Sequence, residues 1–272
     1  FTGHYFVAMA QLAGHEVHSL QADLTKVKAL HEEIQAFRPE FVVHLAAISF
    51  VGHADVSAFY NINVIGTINL LDALVSLPSP PNKVLLASSA NIYGNCEKSP
   101  ITETQQPAPL NHYAMSKLAM EHMARTYLDH LPLFFTRPFN YIGLGQVESF
   151  VIPKLVSHFV KKAGVIELGN LNVEREFNDV RFVCDAYLKL LDAAKPGEVY
   201  NICSGKPETL SAVITLLTEM TGHKINVKVN PSFVRENEVY RLCGNPKKLL
   251  DTIGAIQQPI LKETLAWMLD RS

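Results

Sequence analysis

A tyrosine and a lysine four residues apart, Tyr113 and Lys117, are the side chains of this sequence best suited to proton transfer. The run from Asn111 to His130 has a helix-forming composition, and residues four apart on a helix share one face. A free phenol has a pKa of about 10, too high for a base at neutral pH. We expect the Lys117 ammonium to lower that pKa, so that Tyr113 exchanges a proton with a hydroxyl or carbonyl group. The alternative is that both side chains are exposed on an amphipathic helix.

Two serines that follow a predicted strand, Ser88 and Ser89, could act beside this pair. Ser89 could hydrogen-bond a reacting oxygen and hold it at the phenol, although a serine between a strand and a turn is often only structural. Asn63 could fix backbone or water near Lys117, and a structural role fits it equally well. His44 lies on an apolar strand, so we expect a core histidine with a satisfied hydrogen bond.

Short apolar runs alternate with helical patterns along most of the chain. The alternation predicts an α/β fold, a doubly wound parallel sheet of the Rossmann-like kind with helices on both faces. Ligands of such sheets bind beyond the carboxyl ends of the strands, where the two serines lie. The predicted strands are Glu16–Leu20, Phe41–Leu45, Lys83–Ala87, Leu133–Thr136, Glu198–Ile202 and Ile225–Val229. The predicted helices are Val27–Phe37, Asn61–Leu77, Asn111–His130, about 150–162, Val180–Ala194, Thr209–Thr221 and Ile260–Leu269.

Composition argues against several classes of protein. The net charge is −2 with both signs interspersed, which leaves no basic footprint for nucleic acid. No apolar run reaches the ~18 residues of a membrane span, so no membrane partner is expected. Cys96, Cys184, Cys203 and Cys243 stand far apart without a Cys-x-x-Cys pair. That spacing argues against zinc or another metal and against a disulfide framework, and it fits a reducing cytoplasm.

Four motifs follow one another in the chain: Ser-Ser-x-x-Ile-Tyr-Gly at 88–94, Tyr-Ala-x-Ser-Lys at 113–117, Arg-Pro-Phe-Asn at 137–140 and Val-Tyr-Asn-Ile-Cys-Ser-Gly at 199–205. Together they resemble the extended short-chain dehydrogenases/reductases that act on nucleotide sugars. The runs Arg137–Gln146 and Arg175–Val180 resemble, within that family, the branch of GDP-6-deoxy-D-mannose reductases (GDP-4-dehydro-6-deoxy-D-mannose reductases) in particular. The family's Gly-x-x-Gly-x-x-Gly fingerprint is absent apart from Gly3.

The resemblance implies a role for each residue that matches a family motif. Ser89, Tyr113 and Lys117 would form a catalytic triad, with Lys117 also holding the nicotinamide ribose. The residues that would flank the dinucleotide are Gly3, Asp23, Leu24, Leu45, Ala46, Ala47, Asn63 and Ser88, besides Tyr113 and Lys117. The residues that would line the nucleotide-sugar pocket are Asn91, Asn140, Phe150, Val151, Lys154, Arg175, Arg235 and Glu238.

Some of these residues have a plain structural alternative. Arg175 and Arg235 come from distant segments and suit a diphosphate, but local ion pairs with neighbouring glutamates fit equally. Asp23 could instead cap a helix. The run Leu20–Asp23 leaves almost no loop after the predicted strand, so the residue that usually selects between NAD and NADP is missing. Both NADP(H) and NAD(H) stay open, and NADPH is favoured for a biosynthetic reductase.

The chain divides into two parts with different expected roles. Residues 1–140 are expected to form a dinucleotide-binding Rossmann-like domain, and residues 141–272 mostly a smaller, interleaved substrate-binding lobe. Residues from about 179 to 203 are expected to return to the main domain. Phe1 opens directly on a glycine turn that runs into a helix, whereas such a sheet begins with a central strand. We therefore expect a strand and a Gly-x-x-Gly turn, roughly ten residues, before Phe1 in the native protein.

The expected activity is NAD(P)H-dependent reduction of the 4-keto group of a GDP-4-keto-6-deoxyhexose in deoxysugar biosynthesis. The alternatives are a nucleotide-sugar 4,6-dehydratase or 4-epimerase of the same family, and a catalytically idle dinucleotide-binding scaffold. Dehydratases of this family resemble one another in a glutamate two residues after the catalytic serine or threonine, where Asn91 stands in this chain. A carboxamide does not act as a base near neutral pH, which favours the reductase. For elimination, Glu97 or Glu103 from the following loop would have to substitute.

A homodimer is expected from two helices that carry more apolar surface than one sheet face needs. The apolar residues concerned lie on Ile62–Leu77 and Asn111–His130 and are Leu70, Leu118, Met120 and Met123. The family resemblance suggests that these helices pair across a two-fold axis into a four-helix interface.

Overall fold

The computed structural model describes residues 1–234 and 238–270. The strands of this part of the chain are β1 (Phe41–His44), β2 (Lys83–Ala87), β3 (Leu133–Pro138), β4 (Tyr141–Ile142), β5 (Val165–Leu168), β6 (Glu174–Arg175), β7 (Asn178–Asp179), β8 (Val199–Ile202), β9 (Glu208–Thr209), β10 (Asn226–Val229) and β11 (Arg241–Leu242). The helices are α1 (Thr2–Leu12), α2 (Val27–Phe37), α3 (Val56–Tyr60), α4 (Gly66–Val75), α5 (His112–Ala124), α6 (Val151–Val160), α7 (Val180–Ala193), α8 (Leu210–Thr221), α9 (Lys247–Ile253) and α10 (Leu261–Asp270). A π-helical turn, Asn61–Ile65, joins α3 to α4.

The central feature is a parallel sheet with the strand order β1-β2-β3-β8. Its register places Ala87 beside Thr136 and Thr136 beside Tyr200. Because all the strands run in one direction, the segments that follow β1, β2 and β3 meet at one edge of the sheet. The predicted doubly wound parallel sheet is confirmed.

Alternate side chains of the central strands fill the two faces of this sheet separately. Leu85 and Phe134 are fully buried on one face, where they pack with α1 and α7. Leu86 and Phe135, the next residue along each strand, are fully buried on the other face against α2, α4 and α5. Successive side chains of a strand point to opposite faces, so a strand buried on both faces has an unbroken apolar sequence.

A smaller lobe is built beside the sheet from the second half of the chain. Strands β5 and β10 pair in parallel, and a three-stranded sheet has the order β11-β6-β9. The core of the lobe comes from α6, α8 and α10, with Leu155, Val213 and Leu265 fully buried in it. The lobe therefore has an apolar centre of its own.

The prediction of a strand at Glu16–Leu20 is wrong. A strand needs a hydrogen-bonded neighbour, and these residues pair with none in the described part of the chain. The backbone N–H groups of Gln21 and Ala22 donate instead to the carboxylate of Glu33, at 2.9 and 2.7 Å. His18 Nε2 lies 2.6 Å from the same carboxylate. A side chain of α2 thus anchors the segment in place of a strand.

The predicted helix Asn61–Leu77 begins earlier, at Val56, because the Asp55 side chain accepts hydrogen bonds from the first-turn amides. The continuous helix Val56–Val75 has 20 residues and is long and apolar enough to cross a membrane by length and composition. In the protein, 44% of its most apolar stretch is buried. The buried side carries polar Asn63 and Thr67, and both make hydrogen bonds within the protein.

Two of the four residues expected at a dimer surface belong to the core instead. Leu70 is 3% exposed and Met120 is fully buried, and both pack against the sheet. The half-exposed apolar side chains of these segments include Ile65 and Met115, at 48% and 43%, while Leu118 and Met123 are partly exposed. The exposed apolar surface therefore lies only partly on the residues that the sequence pattern indicated.

Candidate active site

The three residues predicted to be catalytic lie together at the carboxyl edge of the sheet. Ser89 is the second residue after β2 and directly precedes a short 3₁₀ turn. Tyr113 and Lys117 lie on the first turns of α5, which begins after Asn111 because that side chain caps the helix. The Ser89 side chain interacts with the Tyr113 phenol and acts to lower its pKa. The exposed fractions of Ser89, Tyr113 and Lys117 are only 4%, 8% and 3%, so the site is shielded from solvent.

The 3₁₀ turn that follows Ser89 is hydrogen-bonded to the segment that leads into α5. The backbone N–H of Ala108 donates to the carbonyl of Ile92 at 2.8 Å. Gly94 closes the turn with a φ of +62°, and a Cβ at that position would lie 2.0 Å from the Ala108 carbonyl oxygen. Glycine is thus required there, since only a residue without a side chain allows so close an approach. This contact fixes Ser89 relative to the catalytic helix.

Lys117 is a buried cation in this site. Its Nζ donates to the carbonyl oxygen of Ala87 at 2.7 Å. Burial lowers its pKa to about 8, against the opposing effect of the Glu121 carboxylate. The buried His44 is the core histidine that was predicted: its Nε2 lies 2.9 Å from Thr67 Oγ1. Burial, together with the charge of Lys117, lowers the pKa of His44 to about 3, so this imidazole is neutral.

The pKa of Tyr113 is shifted in the direction opposite to the prediction. Burial raises it, and the hydrogen bond with Ser89 only partly offsets that rise. The cost of removing a phenolate from water exceeds the attraction expected from Lys117. Tyr113 is therefore a neutral phenol at physiological pH, with a proton to donate.

Asn63 has a positioning role in the structure. Its Oδ1 accepts from the Ile48 N–H at 2.9 Å, and its Nδ2 donates to Ser116 Oγ at 2.9 Å. Ser116 Oγ in turn donates to the carbonyl of Tyr113 at 2.8 Å. Asn63 lies within the π-helical turn, a feature often found at functional sites. It thus connects the segment after β1 to the catalytic helix, rather than contacting Lys117.

The expected dinucleotide-flanking residues fall into two groups. Leu45, Ala46 and Ala47 follow β1 at the same edge of the sheet as the triad. Ser88 lies there too, and its buried Oγ has no hydrogen-bond partner among the described residues. A buried hydroxyl that lacks a partner needs an explanation, and a bound polar group supplies one. This edge therefore fits a nicotinamide dinucleotide.

The other expected cofactor residues lie at the start of the chain. Asp23 accepts hydrogen bonds from the Thr25 N–H and hydroxyl, both at 2.8 Å, in the turn before α2, whose N-cap is Lys26, so the capping alternative stated for Asp23 is wrong. Leu24 is 7% exposed and packs in the core. Gly3 lies in the first turn of α1 and lines a cavity of about 440 Å³ with Ser19 opposite. Asp23 and Leu24 thus have structural contacts in the described part of the chain, and their expected place beside the dinucleotide stays a prediction.

The expected sugar-nucleotide residues divide between the triad and the smaller lobe. Asn91 donates to Ser89 and so belongs with the triad. The carbonyl of Asn140 accepts from the Asn178 N–H at 2.9 Å. Phe150 packs edge-to-face with Phe50 at a centroid distance of 6.1 Å, and Val151 starts α6.

The remaining residues of this set surround β5 and β6. Lys154 Nζ donates to the Glu167 carbonyl at 2.8 Å. Arg175 donates to the carbonyls of Glu174 and Val239. Glu238 Oε2 accepts from Asn170 at 3.1 Å. Arg235 lies outside the described residues.

A buried charge network behind the triad was not predicted from the sequence. Arg137 donates to both carboxylate oxygens of Glu121, at 3.0 and 2.7 Å, and to the Tyr93 hydroxyl at 3.0 Å. The Tyr93 hydroxyl donates onward to Asn201 at 2.7 Å. Two features of the sequence could have indicated this network. Glu121 lies four residues after Lys117 on the same helix face, and Arg137 stands at the end of an apolar strand. Among the described residues, no group of three metal-ligating side chains occurs.

A Rossmann-like parallel sheet with serine, tyrosine and lysine at its carboxyl edge defines the class of short-chain dehydrogenases/reductases. Within that class, the family described as GDP-mannose 4,6 dehydratase matches residues 6–268, and the chain belongs to this family. The resemblance inferred from the motifs is confirmed.

Two characterised relatives are similar over most of the chain. GDP-6-deoxy-D-talose 4-dehydrogenase of Aggregatibacter actinomycetemcomitans is 40% identical over 232 residues, which cover 85% of this chain and 79% of the relative. GDP-6-deoxy-D-mannose reductase of Pseudomonas aeruginosa is 34% identical over 238 residues, covering 84% and 78%. Both relatives are named for oxidation or reduction of GDP-linked 6-deoxyhexoses.

Solved structures agree in fold. A putative epimerase from Burkholderia cenocepacia is 43% identical, with a TM-score of 0.92 over 99% of this chain and 94% of that one. RMD from Pseudomonas aeruginosa, solved in complex with NADPH, is 32% identical, with a TM-score of 0.89 over 99% and 94%.

Proposed function

We propose that this protein is an NAD(P)H-dependent oxidoreductase that reduces the 4-keto group of a GDP-4-keto-6-deoxyhexose. The observation that carries the proposal is the buried triad, in which a neutral Tyr113 phenol interacts with Ser89 and lies one helical turn from the Lys117 cation. The two relatives named for GDP-6-deoxyhexoses support this substrate class. An intact triad also argues against an idle scaffold.

Each residue of the triad has a separate role in the proposed reduction of a ketone: proton donor, hydrogen-bond donor or stabilising charge. A bound nicotinamide dinucleotide supplies the hydride that the carbonyl carbon receives. Tyr113 donates its proton to the carbonyl oxygen, which completes the alcohol and leaves a phenolate on the enzyme. Ser89 donates a hydrogen bond to the same oxygen and holds it at the phenol. Lys117 stabilises the phenolate by its charge until solvent returns the proton.

The edge of the sheet beyond β1 and β2 is proposed as the nicotinamide site. Lys117 and Ser88 would hold the ribose and its neighbouring atoms, with Leu45, Ala46 and Ala47 forming the apolar wall. NADPH is favoured as the reductant of a biosynthetic enzyme, and the NADPH complex of RMD supports it. In the smaller lobe, Asn140, Phe150, Val151, Lys154, Arg175 and Glu238, together with Arg235, are proposed to bind the GDP-sugar.

Reduction is favoured over dehydration by the residue at position 91. A 4,6-dehydratase has to remove a proton from the sugar, which needs a base besides the tyrosine. In this chain the side chain that reaches Ser89 from that position is the amide of Asn91. Glu103, one possible substitute, is bonded to the Asn201 N–H at 2.9 Å on the side of the Arg137 network. We therefore expect GDP-mannose and oxidised cofactor to yield no 4-keto product.

The deciding experiment is a panel of GDP-, dTDP- and UDP-linked 4-keto-6-deoxy sugars followed by NADPH and NADH absorbance. We expect stoichiometric oxidation with GDP-4-keto-6-deoxymannose, faster with NADPH than with NADH. The Tyr113→Phe variant serves as the blank for non-enzymatic loss. Absence of oxidation with every sugar, or catalytic formation of a ketone from GDP-mannose, would overturn the proposal.

A homodimer in the cytoplasm is the proposed working form. The outward faces of α5 and of the helical segment that joins the π-helical turn to α4, with the half-exposed Met115 and Ile65, are the proposed contact. The four cysteines are free thiols, which fits a reducing compartment. Light scattering at micromolar concentration should give twice the mass of 30.2 kDa for the wild type. An Ile65→Asp, Met115→Asp double variant should give the monomer, and a wild-type monomer would contradict the proposal.

A further inference from the structure

Ser89 is hydrogen-bonded in a way that restricts its role. A serine hydroxyl can donate one hydrogen bond and accept two. Ser89 Oγ accepts from the backbone N–H of Asn91 at 3.1 Å and from the side-chain Nδ2 of Asn91 at 3.2 Å. One residue therefore occupies both acceptor positions of this oxygen.

The remaining capacity of Ser89 is its own proton. The residue is 4% exposed, so bulk water does not compete for that proton. The Ser89 side chain also interacts with the phenol of Tyr113, whose pKa it acts to lower. With both acceptor positions filled by Asn91, Ser89 can only donate to an oxygen that faces it.

The neighbouring serine shows that this arrangement is specific to one position. Ser88 lies at the same strand end and is 3% exposed, but its Oγ has no partner among the described residues. Burial at this edge therefore does not by itself fix the direction of a hydroxyl. Of the two serines, Ser89 alone has an amide two residues later that takes both of its lone pairs.

We propose that Asn91 is a positioning residue that makes Ser89 an obligate hydrogen-bond donor to the reacting oxygen. This inference rests on the proposed reduction, because a carbonyl that is becoming an alkoxide needs donors and not acceptors. Asn91 was expected to line the sugar pocket, and the geometry gives it a second task. A carboxylate at this position would reverse the arrangement: it can only accept, and the Ser89 proton would turn toward it.

A double-mutant cycle tests whether Asn91 acts through Ser89. The variants are Asn91→Ala, Ser89→Ala and the two combined, assayed with the keto sugar found active in the panel. We expect Asn91→Ala to lower kcat about ten- to a hundredfold with little change in KM, as for a misaligned catalytic group. In the Ser89→Ala background the same change should cost nothing further in kcat.

Combination with Ser88→Ala is the matched control for the cycle. Ser88 and Asn91 share no hydrogen bond, so their effects on kcat should multiply. Equal losses from Asn91→Ala in the wild-type and Ser89→Ala backgrounds would overturn the proposal. So would a loss confined to KM, which would make Asn91 a sugar contact only.

A titration of Tyr113 gives a readout that needs no turnover. The ultraviolet difference between the wild type and Tyr113→Phe isolates this phenol, because Tyr141 and Tyr187 nearby are present in both proteins. We expect Asn91→Asp to move the midpoint upward, since Ser89 then stops donating to the phenolate, whereas Asn95→Asp in the same loop should leave it in place. An unchanged midpoint in Asn91→Asp contradicts the proposal.

Failure of the wild type to reduce any keto sugar would instead refute the proposed function, and the titration would still report on Ser89.

Discussion

Two successive turns of α5 each bury one charged side chain, and the two charges differ in how well they are paired. The carboxylate of Glu121 is 2% exposed and receives two hydrogen bonds from Arg137, so its charge is fully matched. Lys117, one turn earlier, is 3% exposed and donates to a backbone carbonyl. Its pKa is about 8, which shows that nearby charges offset only a small part of the cost of burying the ammonium.

The difference separates a structural charge from a chemical one. A matched buried pair gains rigidity, and losing one partner leaves an unpaired charge in an apolar setting. A poorly matched buried charge costs stability but responds strongly to a neighbouring group that changes its own charge, as Tyr113 does in the proposed reaction. The Glu121–Arg137 pair thus fixes the position of α5, and Lys117, on the preceding turn, takes part in the proposed chemistry.

The largest effect is expected from Tyr113→Phe, which removes the proton that the proposed reaction takes directly from the protein. Turnover should fall by about 10²–10⁴-fold, while nucleotide-sugar affinity stays similar, because the ring is kept. Tyr127→Phe, further along the same segment and bonded to Asp72, is the matched control and should keep wild-type turnover. Steady-state kinetics measure both. Wild-type turnover in Tyr113→Phe would refute the mechanism.

Breaking the matched charge should cost more stability than any of the active-site substitutions. Glu121→Leu leaves the Arg137 guanidinium buried without its carboxylate, at a cost of about 3–5 kcal/mol in the free energy of unfolding. Urea denaturation measures the loss. Removing both charges, as in Glu121→Leu with Arg137→Met, should recover a large part of it.

The control for this prediction is an exposed pair of opposite charges. Lys28 and Glu32 stand four residues apart on α2 with a separation of 3.9 Å. Glu32→Leu should change the unfolding free energy by no more than about 1 kcal/mol. Similar losses at Glu121 and Glu32 would show that burial does not distinguish the two pairs.

The opposite sign is expected for Lys117→Met. The pKa of Lys117 is about 8 in the folded protein and 10.5 ordinarily. Protonation of Lys117 is therefore less favourable in the folded state than in the unfolded state. The resulting loss of folding stability is complete below pH 8 and disappears as the pH rises toward 10.5. Lys117→Met should raise the unfolding free energy at pH 7 by about 2–3 kcal/mol while lowering turnover, though less than Tyr113→Phe does, and weakening cofactor binding. Urea denaturation at pH 7 and pH 10 tests it, and a less stable variant at pH 7 would contradict it.

The sequence was sufficient for features that depend on neighbours in the chain. The apolar runs of β2 and β3 predicted buried strands, and the four-residue spacing of Tyr113 and Lys117 predicted a shared helix face. The helix that begins at Val180 was predicted in the same way, and in the structure the Asp179 side chain caps it by accepting from the Arg181 N–H. Each of these signals lies within a few residues of its effect.

Features that join distant segments could not be read from the sequence. The Glu121–Arg137 pair forms only because α5 packs across β3, and Glu33 anchors residues 21 and 22 only because α2 folds back. The upward pKa shift of Tyr113 depends on its burial, which no spacing reveals. Arg175 was expected at a diphosphate or in a local ion pair, and its hydrogen bond to the carbonyl of the distant Val239 was not predicted.

The smallest effect should come from Ser88→Ala, which extends the comparison from charges to hydroxyls. Ser88 Oγ has no partner among the described residues, so its loss should change the unfolding free energy by less than about 0.5 kcal/mol. Ser116 Oγ, also buried, accepts from Asn63 and donates to the Tyr113 carbonyl, so Ser116→Ala should cost about 1–3 kcal/mol. Cofactor affinity should nevertheless fall about five- to tenfold in Ser88→Ala, since one hydrogen bond to the dinucleotide is worth about 1 kcal/mol. Urea denaturation without cofactor and fluorescence titration with NADPH measure the two quantities. A loss of stability equal to that of Ser116→Ala, or an unchanged NADPH affinity, would show that the Ser88 hydroxyl is not reserved for the cofactor.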